Sequence, residues 1–163
     1  MLGVDSAVNM SHAKTVYEKI KSYLTENEVA FECDDSSMFI SINIDEAEEL
    51  EDYLTIKVNC VYSEVEVVGW LPVTIARDKL MDGALAACVM NKIYGDVKIE
   101  YDPLNGNPSL RCSRAFVNFY DDRDIEFIMS EFFIVMEKCT DVFEDISENR
   151  LSVNKYIAEN FDV

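Results

Sequence analysis

Apolar residues recur along this chain at two different spacings, and the switches between them mark out its elements. Val16, Ile20, Tyr23 and Leu24 fall on one face at helical spacing, with Ser11 ahead of them as an N-cap. The pattern predicts a first amphipathic helix from Ser11, and residues 1–10, which carry no period, read as a disordered amino end. The spacing then shortens to two. Val29, Phe31 and Cys33 alternate with polar neighbours, as do Met38, Ile40, Ile42 and Ile44 after an Asp34-Asp35-Ser36-Ser37 turn, which predicts two strands of a hairpin. Leu54, Ile56, Val58 and Cys60 repeat the alternation, and Val65, Val67, Val68, Trp70 and Leu71 form a further strand that Pro72 ends by its missing donor. Between the two pairs, residues 45–52 carry six carboxylates in eight positions and read as a loop or an acidic helical turn.

Helical spacing returns after Pro72. Thr74 is placed to cap a helix running to about Lys92, with Met81, Ala84, Leu85 and Cys88 on one stripe. Gly83, Ala84, Ala86 and Ala87 concentrate small side chains in its middle, and a mid-helix glycine costs roughly 1 kcal/mol relative to alanine, so Gly83 calls for a packing reason. Val97, Ile99 and Tyr101 then alternate with charged residues up to Asn105-Gly106, the preferred dipeptide of a tight hairpin turn. With that turn as pivot, Tyr101 faces Leu110, Ile99 faces Cys112, and Glu100 faces Arg111 as a cross-strand ion pair. The second arm, running towards Phe119, is expected to be the longest strand. Asp121, Asp122 and Asp124 suit the start of a last helix, where the dipole favours negative charge. Between Phe127 and Met136 only Ser130 and Glu131 interrupt its apolar surface, so cover on two sides is expected. Leu151, Tyr156, Ile157 and Phe161 in a carboxyl-terminal helical extension over 149–163, or else a second subunit, would supply it. The expected fold is therefore a single α+β domain over 11–148: an antiparallel-rich sheet of five or six strands packed with helices, in the order α-ββββ-α-ββ-α.

Composition narrows what such a domain does. The chain of 163 residues has a formal charge of -18 and a single histidine, His12. Nucleic-acid binding needs cations to replace phosphate counterions, so this surface excludes it, and anionic membranes are excluded on the same ground. With 49% hydrophobic and 11% aromatic residues the chain is too apolar for a disordered acidic tail, so the charge clothes a folded surface and draws basic partners. Cys33, Cys60, Cys88, Cys112 and Cys139 are an odd, scattered set with no Cys-x-x-Cys pair, which suggests neither a disulfide frame nor a zinc site. Together with an amino end unlike a signal peptide, they lead us to expect a cytoplasmic protein whose cysteines are reduced, buried and inert.

The search for chemistry returns little. The five glycines are dispersed, so no loop gathers backbone amides around a phosphate, and no acidic run meets the calcium-loop pattern. His12, at the edge of the first helix, is a poor base for a serine or cysteine nucleophile. No catalytic residue, cofactor or metal is therefore assigned. Surfaces for partners are more promising. Trp70 and Val68 share one side of a strand whose other side is also apolar, and together with Gly83, Ala87, Phe132, Phe133 and Met136 they are the candidate contact residues for a partner or a second copy. Two other readings stay open. A small-molecule-binding regulatory domain would use a tyrosine-lined pocket with Arg111 or Arg114, and an enzyme built on paired carboxylates would leave no signature in sequence.

One stretch carries a family resemblance. The small-residue helix closes with Ala86-Ala87-Cys88-Val89-Met90-Asn91, Gly95 follows a short turn, and a strand, the Asn105-Gly106 turn and a strand bearing Arg111 and Arg114 lead to the apolar last helix. Over residues 12–146 this resembles the YbjN-like family of bacterial proteins and, through it, the small acidic dimeric chaperones of type III secretion. The acidic run at 45–52 and the extension after Ser147 depart from that pattern. The resemblance implies a secretion-chaperone-like fold, a homodimer, and a non-catalytic protein-binding or chaperone-like role towards a basic or amphipathic protein segment.

Overall fold

The computed structural model describes residues 3–42, 54–115 and 122–160. The acidic run 45–52, Phe119, Asp121 and Phe161 lie outside them. In chain order the elements are α1 (Gly3–Glu26), β1 (Glu32–Asp34), β2 (Phe39–Ile42), β3 (Leu54–Asn59), β4 (Glu64–Trp70), a 3-10 turn (Arg77–Lys79), α2 (Leu80–Ile93), β5 (Lys98–Tyr101), β6 (Pro108–Ala115), α3 (Asp122–Ser147) and α4 (Val153–Asn160). The strands form one six-stranded antiparallel sheet in the order β1-β2-β3-β4-β6-β5, so the α+β class and the order α-ββββ-α-ββ-α are as the pattern predicts. Chain contacts gather into two compact units, Met1–Val68 with Cys112–Glu131, and Gly69–Arg111 with Phe132–Val163.

In the first unit, α1 buries Ala13, Val16, Tyr17, Ile20 and Leu24, the stripe read from sequence with Ala13 and Tyr17 added and Tyr23 only half-buried. The helix starts at Gly3, however, and Ser11 is not its cap: the Ser11 carbonyl accepts a bond from the Thr15 hydroxyl at 3.0 Å, inside the helix. Once the buried stripe nucleates a helix, each further residue adds one backbone bond at little cost, which carries the helix ahead of its apolar pattern. β1 and β2 make the expected hairpin, with Cys33 opposite Ile40, but β1 has three residues and all are exposed. β2 pairs with β3 so that Ile40 faces Ile56 and Ile42 faces Leu54, all four buried. Each such side chain removed from water contributes about 1.5–3 kcal/mol.

The second unit departs from the pattern at three points. First, α2 turns inward on Gly83, Ala86, Ala87, Val89 and Met90, as the packing reason sought for Gly83 requires, and leaves Met81, Leu85 and Cys88 of the larger apolar stripe exposed. Both stripes are apolar, and the one with smaller side chains lets neighbouring atoms approach more closely. Second, Thr74 is not the cap of α2. Its hydroxyl donates to Asn107 Oδ1 at 3.0 Å, and the chain stays extended to buried Ile75, whose N–H donates to the Gly106 carbonyl.

Third, β5 and β6 pair two residues out of the expected register: Ile99 faces Leu110 and Tyr101 faces Pro108. A two-residue turn would need positive φ at Asn105 and Gly106, yet only Gly106 has it, at 76°. Asn105 instead accepts the Asn107 N–H on its side-chain oxygen, Asp102 accepts the Leu104 N–H in the same way, and the result is a wider loop over 102–107. The Glu100–Arg111 ion pair survives as a diagonal contact, at 2.9 and 3.3 Å. β6, with eight residues, is the longest described strand, as expected. Asn91 closes α2 onto β5, its side-chain amide exchanging bonds of 2.8 and 2.9 Å with the backbone of Ile99.

α3 is as apolar as its sequence reads, but the expected cover is one-sided. Phe132, Val135, Met136, Cys139, Phe143 and Ile146 are buried, while Phe127 is 66% and Ile134 51% exposed. The extension does form a helix, α4, which packs on α2 and buries Val153 and Tyr156. Burial pushes the Tyr156 phenol up to about 12 and the Cys139 thiol up to about 12.

Candidate binding surfaces

Most of the sequence-predicted contact residues turn out to hold the chain together. Gly83 lies beneath Tyr101, where an added Cβ would sit 2.7 Å from the phenol oxygen, and Ala87 is buried beside it on the same helix. Phe132 and Met136 pack under Gly69, whose added Cβ would meet Phe132 Cε1 at 2.9 Å and Met136 Sδ at 3.0 Å. These four therefore offer no surface in the folded chain. Small residues admit a close neighbour, and here the neighbour comes from the same chain. Phe133 is half-buried. Val68 and Trp70 fare better: β4 alternates buried Val65, Val67 and Gly69 with outward residues, leaving Val68 half-buried and Trp70 41% exposed.

The two arginines are paired on β6. Arg111 is held by Glu100, and Arg114 reaches Glu131 at 3.5 Å. Neither lines the groove described below. Of the cysteines, Cys112 and Cys139 are buried as expected, but Cys33 and Cys88 are exposed.

Two surfaces emerge that sequence reasoning missed. The first is the outer face of α2, where Met81 is 73% exposed, Leu85 41% and Ile93 41%, with Cys88 between them. The signal is present in the sequence, where Met81, Leu85 and Cys88 form a stripe, but its direction is not. The segment Gly83–Asn91 carries no charged residue.

The second is a groove of about 550 Å³ in the first unit, walled by Met10, Lys14, Tyr17 and Glu18 of α1, by the β1–β2 turn, and by Lys57 to Tyr62 of β3 and the turn after it. Both turns are stapled. Asp34 accepts bonds from the Ser36 N–H and from the hydroxyls of Ser36 and Ser37, which together hold its carboxyl down at about 2. Asn59 Oδ1 accepts the N–H groups of Val61 and Tyr62 at 3.0 and 3.3 Å. At one end Asp35 takes bonds of 2.9 Å from both Tyr17 Oη and Lys21 Nζ. The Lys21 bond, then that from Tyr17, lowers the Asp35 pKa, while burial, then the Asp35 bond, raises that of Tyr17.

No family model matches the sequence, and no curated protein does. Solved structures do match. The chain is similar to a chain of the crystal structure of the ExsC–ExsE complex, with a TM-score of 0.58 and 13% identity over 79% of this chain and 93% of that one. A chain of the HopA1–SchA chaperone–effector complex matches with a TM-score of 0.54 and 16% identity, over 81% and 97% of the two chains. An uncharacterized protein from Methanothermobacter thermautotrophicus matches with a TM-score of 0.51 and 16% identity, over 78% and 99%. At these identities the likeness establishes the fold: an antiparallel sheet with helices of the secretion-chaperone kind, present here over most of the chain.

Proposed function

We propose that this chain is a non-catalytic, chaperone-like protein-binding module of the YbjN-like type, acting as a cytoplasmic homodimer. The observation that carries the reading is the fold it shares with chains solved in the ExsC–ExsE complex and the HopA1–SchA chaperone–effector complex. Its own surface supports the same role: Trp70, Met81, Leu85 and Phe127 face outward from a chain of charge -18. The client is a basic or amphipathic protein segment, drawn by the acidic shell and held by exposed apolar side chains.

The outer face of α2 is the surface on which two copies meet. Like charges spread over two acidic chains oppose association, so a contact is cheapest on a face that carries little charge, and the outward-facing Met81, Leu85 and Cys88 of α2 supply one. A two-fold antiparallel contact between two α2 helices also brings Asp82, at the first turn of one copy, and Asp78, in the 3-10 turn ahead of it, towards Lys92 at the last turn of the other.

Client binding is tested with a fluorescent amphipathic peptide of leucine and lysine, and with its counterpart in which glutamate replaces lysine. Anisotropy titration should give saturable binding of the basic peptide that weakens as salt rises. Equal binding of the acidic peptide, or no saturable binding of either, would refute the reading.

A further inference from the structure

We propose that the groove beside α1 binds a small organic monoanion with an apolar body, a site independent of the protein-binding role above. Its volume, about 550 Å³, falls in the usual range of small-ligand sites. Its apolar lining is unusual for a solvated rim: Val61 is 78% exposed, Tyr62 73% and Met10 50%, while Met38 is buried beneath them. Met38 also holds a φ of 52°, the left-handed region that bulky side chains rarely enter, so the chain keeps a strained residue at this spot. The stapling of both turns by Asp34 and Asn59 means that the lining is in place before a ligand arrives, which lowers the entropy cost of binding.

Charge selects the sign of the ligand. Two acids line the groove, and both are engaged: Asp35 by Tyr17 and Lys21, and Glu18 by Lys21 at 3.8 Å. Lys14 and Lys57 line it too, both exposed, and neither forms an ion pair with another described residue. The groove therefore offers two cations on a chain whose net charge is -18. Lysine binds anions as a point charge, so carboxylate, sulfonate and phosphate monoester heads share the chemistry that would be recognised. The same net charge argues for a small ligand, because an acidic polypeptide would meet repulsion from the whole surface while a monoanion carries a single charge.

The probe is 1-anilinonaphthalene-8-sulfonate, paired with its uncharged parent N-phenyl-1-naphthylamine, which has the same apolar body without the anion. Fluorescence titration should show one saturable sulfonate site per chain, with affinity at least tenfold above that of the uncharged parent. The Lys14→Gln/Lys57→Gln variant, altered only at exposed positions, should lose that preference, and circular dichroism checks that it is folded. Leu85→Ser on α2 should leave it unchanged, and amide shifts on titration should fall on residues 57–62. Equal affinity for the two probes, an unchanged preference in the double lysine variant, or shifts confined to α2 would each overturn the proposal. Failure of the peptide titration above has no bearing on this result, since the two use different ligands and different residues.

Discussion

Replacing Gly83 by alanine isolates one packing decision in the second unit. Alanine should favour the helix by about 1 kcal/mol over glycine. Against that, the new Cβ would lie 2.7 Å from Tyr101 Oη, 2.8 Å from Cζ and 3.1 Å from Cε2, where unstrained carbon contacts need about 3.5–4.0 Å. The ring cannot simply swing aside, because it stacks on Phe143 at a centroid distance of 5.9 Å and an angle of 10°, and Phe143 is fully buried. Overpacking of this kind costs about 1–3 kcal/mol, and overlap with two ring atoms places it in the upper half of that range. The net loss expected for Gly83→Ala is therefore about 1–2 kcal/mol, read as a fall in the urea midpoint with an unchanged slope. In a Tyr101→Ala background the overlap is gone and the same change should stabilise by up to about 1 kcal/mol, so the two sites are coupled. If Gly83→Ala raises stability in the natural chain, or changes it equally in both backgrounds, the packing argument is wrong.

Other consequences follow from the same packing and hydrogen bonding. Tyr101 Oη is buried with no hydrogen-bond partner among the described residues, so Tyr101→Phe should be neutral or stabilising by about 1 kcal/mol in thermal or urea unfolding. Gly106→Ala should destabilise by more than 1 kcal/mol, roughly, because φ is 76° and the new Cβ would sit 2.5 Å from the Ile75 carbonyl oxygen. Asp34 has its folded pKa lowered to about 2 from 3.8, so its stabilising contribution is present above pH 3.8 and is lost as pH falls towards 2. The melting-temperature gap between the natural chain and Asp34→Asn should accordingly close across that window. Thiol titration of the folded chain with an aromatic disulfide should label Cys33 and Cys88 and leave Cys112 and Cys139 until denaturant is added, since Cys139 is both buried and pushed up to about 12.

What the sequence disclosed and what it hid follow from the range of each interaction. Period-two runs such as Leu54-Ile56-Val58 announce strands because alternation is a local property of the pleat, and the element order follows from them. The direction of α2 was hidden because Met81-Leu85-Cys88 and Gly83-Ala86-Ala87-Met90 are both apolar stripes, and only the partner surface, with Tyr101 against Gly83, decides between them. The β5–β6 register was misread because Asn105 and Asp102 use their side chains to bond nearby N–H groups, a competition that the Asn-Gly dipeptide alone does not reveal. Of the expected contact residues, Trp70 is on the surface while Phe132 and Met136 are interior, since length and apolarity do not distinguish a core from an interface. The groove was illegible altogether. Lys14, Asp35 and Lys57 come from three separate segments, and each in isolation reads as an ordinary solvated residue.

The central claim, that two copies meet on the outer face of α2 to form an acidic binding module, is tested most directly by sedimentation velocity at micromolar concentration and moderate salt. The account predicts a species of twice the 18.6 kDa chain mass for the natural protein and a single-chain mass for Leu85→Glu, with both folded by circular dichroism. A mass of 18.6 kDa at every concentration, or a dimer that Leu85→Glu leaves intact, would contradict it.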